Sequence, residues 1–222
     1  KLGILSKDFP DDNMLLLFNR YETRNKAPLE LECRSVIINR ETFEIICYTC
    51  PTPIYNMDAV NYMLRNQSSE KRIFQCYEGA LLSLFHTNNK WYLSTRRCLD
   101  AKKSLIDNVS HYQMFMDVIN KDGYNTLDDF TKFLDTQYSY HFVLIHHLNK
   151  NIVNYEKHFG KDYMKLCFIF ARESSTQKEL NSEDIEATIV SENIFLPKHL
   201  EDESSFDQVN QLCDMTDEPT DE

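Results

Sequence analysis

Residues 75–104 read QCYEGALLSLFHTNNKWYLSTRRCLDAKKS. Two apolar-rich runs, Ala80 to Phe85 and Trp91 to Thr95, flank the pair Asn88-Asn89. Asparagine tolerates positive φ, so the pattern predicts a β-hairpin with a polar turn. Tyr77-Glu78-Gly79 stands before the hairpin, and a basic run of Arg96, Arg97, Lys102 and Lys103 follows it. A carboxylate beside a glycine on a strand, facing clustered cations, suits a nucleotide-phosphate site. The same residues also suit a surface hairpin with a solvated basic edge.

Working outward, Ser35 to Asn39 and Phe43 to Tyr48 are β-rich runs split by Arg40-Glu41-Thr42, which predicts a second hairpin. The two prolines of CPTPIYN, residues 50–56, then force an extended path. Met14 to Tyr21 is apolar and reads as a helix or an edge strand. Asp58 is placed to cap a helix running to Arg65, with a loop at Ser68 to Lys71. His111 to Ile119 carries Tyr112, Phe115, Met116 and Ile119 at helical spacing, stopped by Lys121-Asp122-Gly123. Thr126 opens the next helix with a capping-box pattern, using Asp129 as the reciprocal partner. Its buried face is expected at Leu127, Phe130 and Leu134. His141 to Ile145 and Met164 to Ala171 are β-rich, with a possible strand at Asn151 to Tyr155 between them. Phe206 to Leu212 reads as one more short helix. Strands outnumber helices and the hairpins are local, which predicts an α+β fold with a largely antiparallel sheet. There is no βαβ alternation, glycine fingerprint or Walker sequence to suggest a Rossmann or P-loop fold.

The chain has 222 residues, 42% hydrophobic and 12% aromatic, enough for a substantial core. With only 4 Gly, a glycine-rich phosphate loop is disfavoured. The formal charge of −11 is uneven. From Glu173 onward there are fifteen Asp/Glu against two Lys/Arg, so the first 172 residues carry a net +2. The acidity belongs to the tail and does not argue against a polyanionic ligand. Residues 1–172 are therefore expected to form the core, and 173–222 an acidic, partly mobile segment. No apolar run approaches the length of a membrane span. Seven cysteines at irregular spacings predict reduced thiols in a cytosolic compartment. Cys47-x-x-Cys50 and the adjacent His146-His147 lack the partners of a zinc site, so no metal site is assigned. The first residue is Lys and the end is abrupt, which reads as a piece of a longer protein.

Three blocks, in order, resemble the adenylyltransferase domain of ATP-dependent RNA ligases, closest to bacteriophage-type enzymes and the related proteins of large cytoplasmic DNA viruses. The first is ECRSVIINRETFEIICYTCPTPIYN, Glu32 to Asn56, in which Arg34 matches the family arginine and Ser35 replaces the usual glycine. The second is CYEGALLSLF...KWYLSTRR. It is similar to the nucleotidyl motif, Lys-x-Asp/Glu-Gly, followed by strand, turn and strand. The third is Phe142 to Arg172, whose Asn-Ile-Val-Asn-Tyr run at Asn151 to Tyr155 resembles the family's Asn-x-Ile-Val.

The resemblance implies a nucleotidyltransferase (ATP-grasp-like ligase) sheet with peripheral helices, ATP and Mg²⁺ as cofactors, and RNA ends or nicks as partner. It also implies a cytoplasmic setting, in the host cytoplasm or virion if the protein is viral. The family reaction begins with a lysine attacking the α-phosphate of ATP. The AMP then passes to an RNA 5′-phosphate, and a 3′-hydroxyl displaces it. This is phosphoryl chemistry dominated by positioning and charge neutralisation. On this basis Cys76 occupies the nucleophile's position, beside matching Glu78 and Gly79. Arg34, Glu78 and Arg96 are expected to bind ATP. Arg96, Arg97, Lys102, Lys103 and Lys150 are expected to hold RNA phosphates.

The sequence departs from the pattern in three places. A thiolate at Cys76 is nucleophilic but cannot form the phosphoramidate of a lysyl-AMP. Val143 stands where the third block has a glutamate, and the late Glu-Gly and Lys-x-Lys strands are absent. Three readings follow. The chain is the front of a ligase with a relocated lysine (Lys71, Lys90 or Lys150), a ligase-fold pseudoenzyme binding RNA or protein, or a likeness confined to the sheet. Trp91 and Tyr92 are read as a stacking face or as core.

Overall fold

The computed structural model describes residues 2–20, 27–66, 72–180 and 189–199. The expected loop at Ser68 to Lys71 and helix at Phe206 to Leu212 lie outside them. The chain divides into two compact units, one of residues 1–52 and 77–196, the other of residues 53–76 and 197–222.

Among the described residues, the first unit holds two larger sheets and a two-stranded ribbon. One has four antiparallel strands in sequence order: β1 (Ile4–Phe9), β2 (Met14–Asn19), β3 (Val36–Asn39) and β4 (Ile45–Tyr48). Met14–Asn19 is thus an inner strand, neither helix nor edge. Its alternate residues Met14, Leu16 and Phe18 are all buried, a period of two that a helix would break. The strand β1 before it has a mixed polar sequence and was not foreseen.

The second sheet has five strands in the order β11-β10-β9-β5-β6. Its members are β5 (Ala80–Thr87), β6 (Lys90–Thr95), β9 (Tyr138–His146), β10 (Met164–Glu173) and β11 (Ile194–Phe195). Neighbours are antiparallel except β10 and β11, which run parallel. The hairpin of residues 80–95 forms as expected, with Asn88 and Asn89 at φ 50° and 58°. A small third ribbon pairs β7 (Leu105–Ile106) with β8 (Val109–Ser110).

The two faces of the five-stranded sheet carry different chemistry. On one face, Leu82, Leu84, Phe142, Leu144, Leu166 and Phe168 meet helix α3 (His111–Lys121). Phe115 of that helix sits edge-on to Phe142, with ring centroids 6.0 Å apart. Ser110 caps α3 by accepting the Gln113 amide, and Gly123 follows its end at φ 91°. The predicted capping box opens α4 (Leu127–Thr131): Asp129 donates its amide to Thr126, and Thr126 donates its amide to the Asp129 carboxylate. Phe130 and Leu134 are buried and Leu127 is half-buried.

Phe85 and Tyr92, their rings stacked 5.4 Å apart, join Met14, Leu16, Phe18, Ile37, Cys47 and Leu99 in a second core. The register of β9 on β10 shifts between Phe168 and Phe170. This bulge turns Phe168 onto Phe142 and Phe170 onto His141, with centroids 5.5 and 4.6 Å apart. Two short helices complete this unit, α1 (Pro28–Glu32) and α5 (Glu156–Phe159).

In the second unit, α2 runs Asn56–Arg65 with Tyr55 at its N-cap. The helix therefore starts before Asp58, which lies in its first turn, where a carboxylate favours the helix dipole without capping it. Phe74 bridges to His199, and Gln75 donates its amide to the Lys198 carbonyl.

Candidate functional site

Glu78 and Gly79 lie immediately before β5. The Glu78 carboxylate accepts the amides of Ile152 at 3.1 Å and Val153 at 2.7 Å, one on each oxygen. Its own amide donates to the Tyr155 hydroxyl at 2.6 Å. Asn151 to Tyr155 is therefore a loop folded over a carboxylate and not a strand. Its amides have a side-chain partner instead of a ladder. Gly79 is required by packing: a Cβ there would meet the Leu144 carbonyl oxygen at 2.3 Å and Val143 Cγ1 at 2.6 Å. The second and third sequence blocks thus meet through this Glu-Gly pair.

Replacing Glu78 with Ala is expected to release the Ile152 and Val153 amides and to cost about 1 kcal/mol, since the loop faces water. Hydrogen exchange at those two amides is the measurement. Wild-type rates in the variant would show that the carboxylate does not hold the loop.

Beside this clamp lies an aromatic cluster. Tyr155 and Tyr163 are buried, and Tyr77, Phe159 and Phe195 pack with them. Tyr77 sits edge-on to Phe195 at 5.1 Å, and Tyr155 edge-on to Tyr163 at 6.0 Å. Val143 packs against the same cluster. Cys76 is an exposed free thiol, the last residue of its stretch of the second unit.

Arg34 and Arg96 are brought together. Arg96 donates Nε to the Arg34 carbonyl at 3.3 Å and Nη2 to Asn19, to Oδ1 at 2.6 Å and to the carbonyl at 3.1 Å. Arg34 donates Nη1 to Cys50 Sγ at 3.3 Å. Asn19, fully buried, donates to the Glu30 carbonyl and to Thr52 Oγ1. This junction ties β2, α1 and the end of β6. Sequence reading missed Asn19 because its partners lie eleven to seventy-seven residues away.

The other predicted phosphate-binding cations diverge. Arg97 is exposed; its carbonyl accepts Lys7 Nζ, and its guanidinium lies 5.8 Å from the Phe18 ring. Lys150 pairs with Asp107 at 2.9 Å, both side chains exposed, a contact worth at most about 1 kcal/mol. Lys102 and Lys103 sit on the 3-10 turn Ala101–Lys103 and line a cleft with Lys90 and Trp91. Lys90 pairs with Asp12 at 2.8 Å. Tyr92 is buried, its hydroxyl donating to Asp12, so it is core; Trp91 is half-buried at the cleft. Lys71 lies outside the described residues.

The histidines are held by the fold. His146 is buried and stacked on His147 at 4.6 Å, with Asp117 3.6 Å away. Burial, then the neighbouring His147, brings its pKa down to about 4. His141 was not singled out in the sequence. It is fully buried, with Nδ1 3.0 Å from Ser83 Oγ and Nε2 3.1 Å from Ser139 Oγ. Burial, helped by Arg172, lowers its pKa to about 3. Burial also pushes the Cys47 thiol up to about 12. These groups are neutral at physiological pH and serve as core.

The chain is an α+β protein built on largely antiparallel sheets, with a carboxylate-clamped loop at the head of its central hairpin. In sequence it is RNA ligase-like. Over 169 residues it is 20% identical to a protein assigned as a bifunctional polynucleotide kinase/RNA ligase in Autographa californica nuclear polyhedrosis virus. The match covers 71% of this chain and 24% of that protein, so the chain spans about a quarter of its relative. An archaeal ATP-dependent RNA ligase matches over 89% of this chain and 47% of its own, at 12% identity and a TM-score of 0.49. That likeness is too loose to transfer residue roles. No family model matches the chain. Among the described residues, no helix is long and apolar enough to cross a membrane.

Proposed function

We propose that this chain is an RNA ligase-type nucleotidyltransferase domain that engages RNA ends and does not form an enzyme–AMP adduct at residue 76. The observation carrying this reading is the Glu78 clamp. Both carboxylate oxygens already accept backbone amides, Val143 packs into the aromatic cluster, and the motif resemblance puts Cys76 at the lysine's position. A lysyl-AMP needs an amine that attacks the α-phosphate as pyrophosphate leaves, together with groups free to meet the metal and nucleotide. The residues at 76, 78 and 143 do not fit a Mg²⁺–ATP bound for that attack. RNA contact rests on the sequence likeness and on the cations after the hairpin. A cytoplasmic setting is part of the same reading, and the six free cysteines among the described residues are compatible with it.

One observation favours a second reading, ATP-dependent ligation from a relocated lysine. Lys150 lies just before the loop that Glu78 grips, which is where a substitute amine would be useful. Intact-protein mass after incubation with ATP and Mg²⁺, on this chain and on any longer natural form, separates the two. The expected result is no gain in mass. A gain of one AMP, stable to alkali and lost in acid, would overturn the proposal, and peptide mapping would name the lysine.

A further inference from the structure

The cleft beside the hairpin has a volume of about 420 Å³, within the range of small-ligand sites. Its walls come from distant parts of the chain: the 3-10 turn Pro10–Asp12, strand β6, the turn Ala101–Lys103, and the starts of α3 and α4. Three half-buried rings line it, Phe9, Trp91 and Tyr112. Three ammonium groups line it as well. Lys90 is neutralised by Asp12, whose carboxylate is held well below its usual pKa by the bonds from Lys90 and Tyr92. Asp100 accepts the Lys102 amide and closes its own turn. Lys102 and Lys103, both exposed and in no ion pair among the described residues, form the cationic end, beside the Asp100 carboxylate and with Lys103 also attracting Asp12. Lys102 Nζ hovers 4.5 Å from the centroid of the Tyr112 ring. Thr126 and Asp128, also in the lining, supply acceptors suited to the exocyclic amines of a base.

Flat rings beside unpaired cations are the two requirements for holding a single-stranded nucleotide. The rings stack a base of any sequence, and the ammonium groups hold its phosphates. We propose that this cleft takes one unpaired nucleotide of a single-stranded RNA, its base against Trp91 and Tyr112 and its phosphate at Lys102 and Lys103. The inference rests on the reading that the chain handles RNA, and adds where the strand is gripped. The site is separate from the Glu78 clamp and needs no adenylation.

Trp91 is the only tryptophan in the sequence, so its fluorescence reports on this cleft alone. The test titrates the intact chain with a short oligoadenylate. It reads tryptophan emission, and in parallel the anisotropy of the same RNA carrying a dye. The expected result is saturable quenching with the midpoint seen by anisotropy. In the Lys102→Ala/Lys103→Ala variant the midpoint should weaken roughly tenfold, and the salt slope should fall by about 0.7, the value for one phosphate of a single strand. The variant's melting temperature, measured alongside, should stay at the wild-type value. A rise in anisotropy with no change in emission would overturn the cleft while leaving RNA handling intact. No change in either signal would overturn both. Unweakened quenching in the double variant would remove the two lysines, and the proposal with them.

Discussion

Replacing Gly79 with Ala is expected to lower stability by about 3 kcal/mol. The added Cβ would lie 2.3 Å from the Leu144 carbonyl oxygen and 2.6 Å from Val143 Cγ1. Contacts that short cannot stand, and the first of them is to backbone. Ala80 pairs with Leu144 and Leu81 with Val143, so β5 must part from β9 exactly where their ladder begins. Relief by a side-chain rotation is not available at the carbonyl. Parting the strands also disturbs the Glu78 clamp one residue earlier. Urea unfolding at neutral pH measures the effect, and a loss under about 1 kcal/mol would mean that the strands yield easily. Gly123 provides the contrast: a Cβ there meets nothing within 4 Å, and only its φ of 91° opposes substitution. The second glycine should cost about 1 kcal/mol.

Acid is expected to remove stability well above the carboxylate range. His141 has a folded pKa of about 3 against an ordinary 6.5. Between those values the unfolded chain binds a proton at this ring that the folded chain does not. The contribution is fully present above pH 6.5 and is lost as pH falls from 6.5 toward 3. At about 1.4 kcal/mol per pH unit, a drop from pH 6.5 to 5 removes roughly 2 kcal/mol. His146, with a pKa of about 4, acts in the same direction over the upper part of that window. The Asp12 carboxylate, whose pKa is lowered, matters only at lower pH. In His141→Gln, an amide that can meet both Ser83 and Ser139 replaces a group that titrates. The loss between pH 7 and pH 5 should fall by about half, as read from urea midpoints at both pH values. Equal losses in the two proteins would show that the ring is not the source.

The hairpin of residues 80–95 was legible because its determinants are local: alternating apolar residues and an asparagine pair that accepts positive φ. The capping box at Thr126 and Asp129 was legible for the same reason. Asn151 to Tyr155 was misread because Ile152 and Val153 favour strands, while what decides their backbone is a carboxylate seventy-four residues earlier. Met14–Asn19 stayed open between helix and strand until its neighbours on both sides were known. The Glu-Gly pair was visible, but the sequence offered a phosphate-binding reason for it. The structure offers an architectural one: the acid holds a loop and the glycine lets two strands approach. The basic run looked like one patch because its members are consecutive in sequence. In space Arg96 turns inward to Asn19, and Lys102 and Lys103 turn to a cleft whose other cation, Lys90, and acidic partner, Asp12, lie elsewhere in the chain.

The outer rim of β10 is occupied along much of its length. Near one end β11 lies alongside Leu166 and Cys167. Near the other, Leu180 donates its amide to the Ala171 carbonyl and Glu173 donates its amide to the Lys178 carbonyl. The acidic tail thus begins as a seal on a sheet edge. A bare rim of this kind offers a row of amides and carbonyls to any passing strand, including the same rim on another copy. By folding its own later residues against that rim, the chain leaves fewer of those groups open to an added strand.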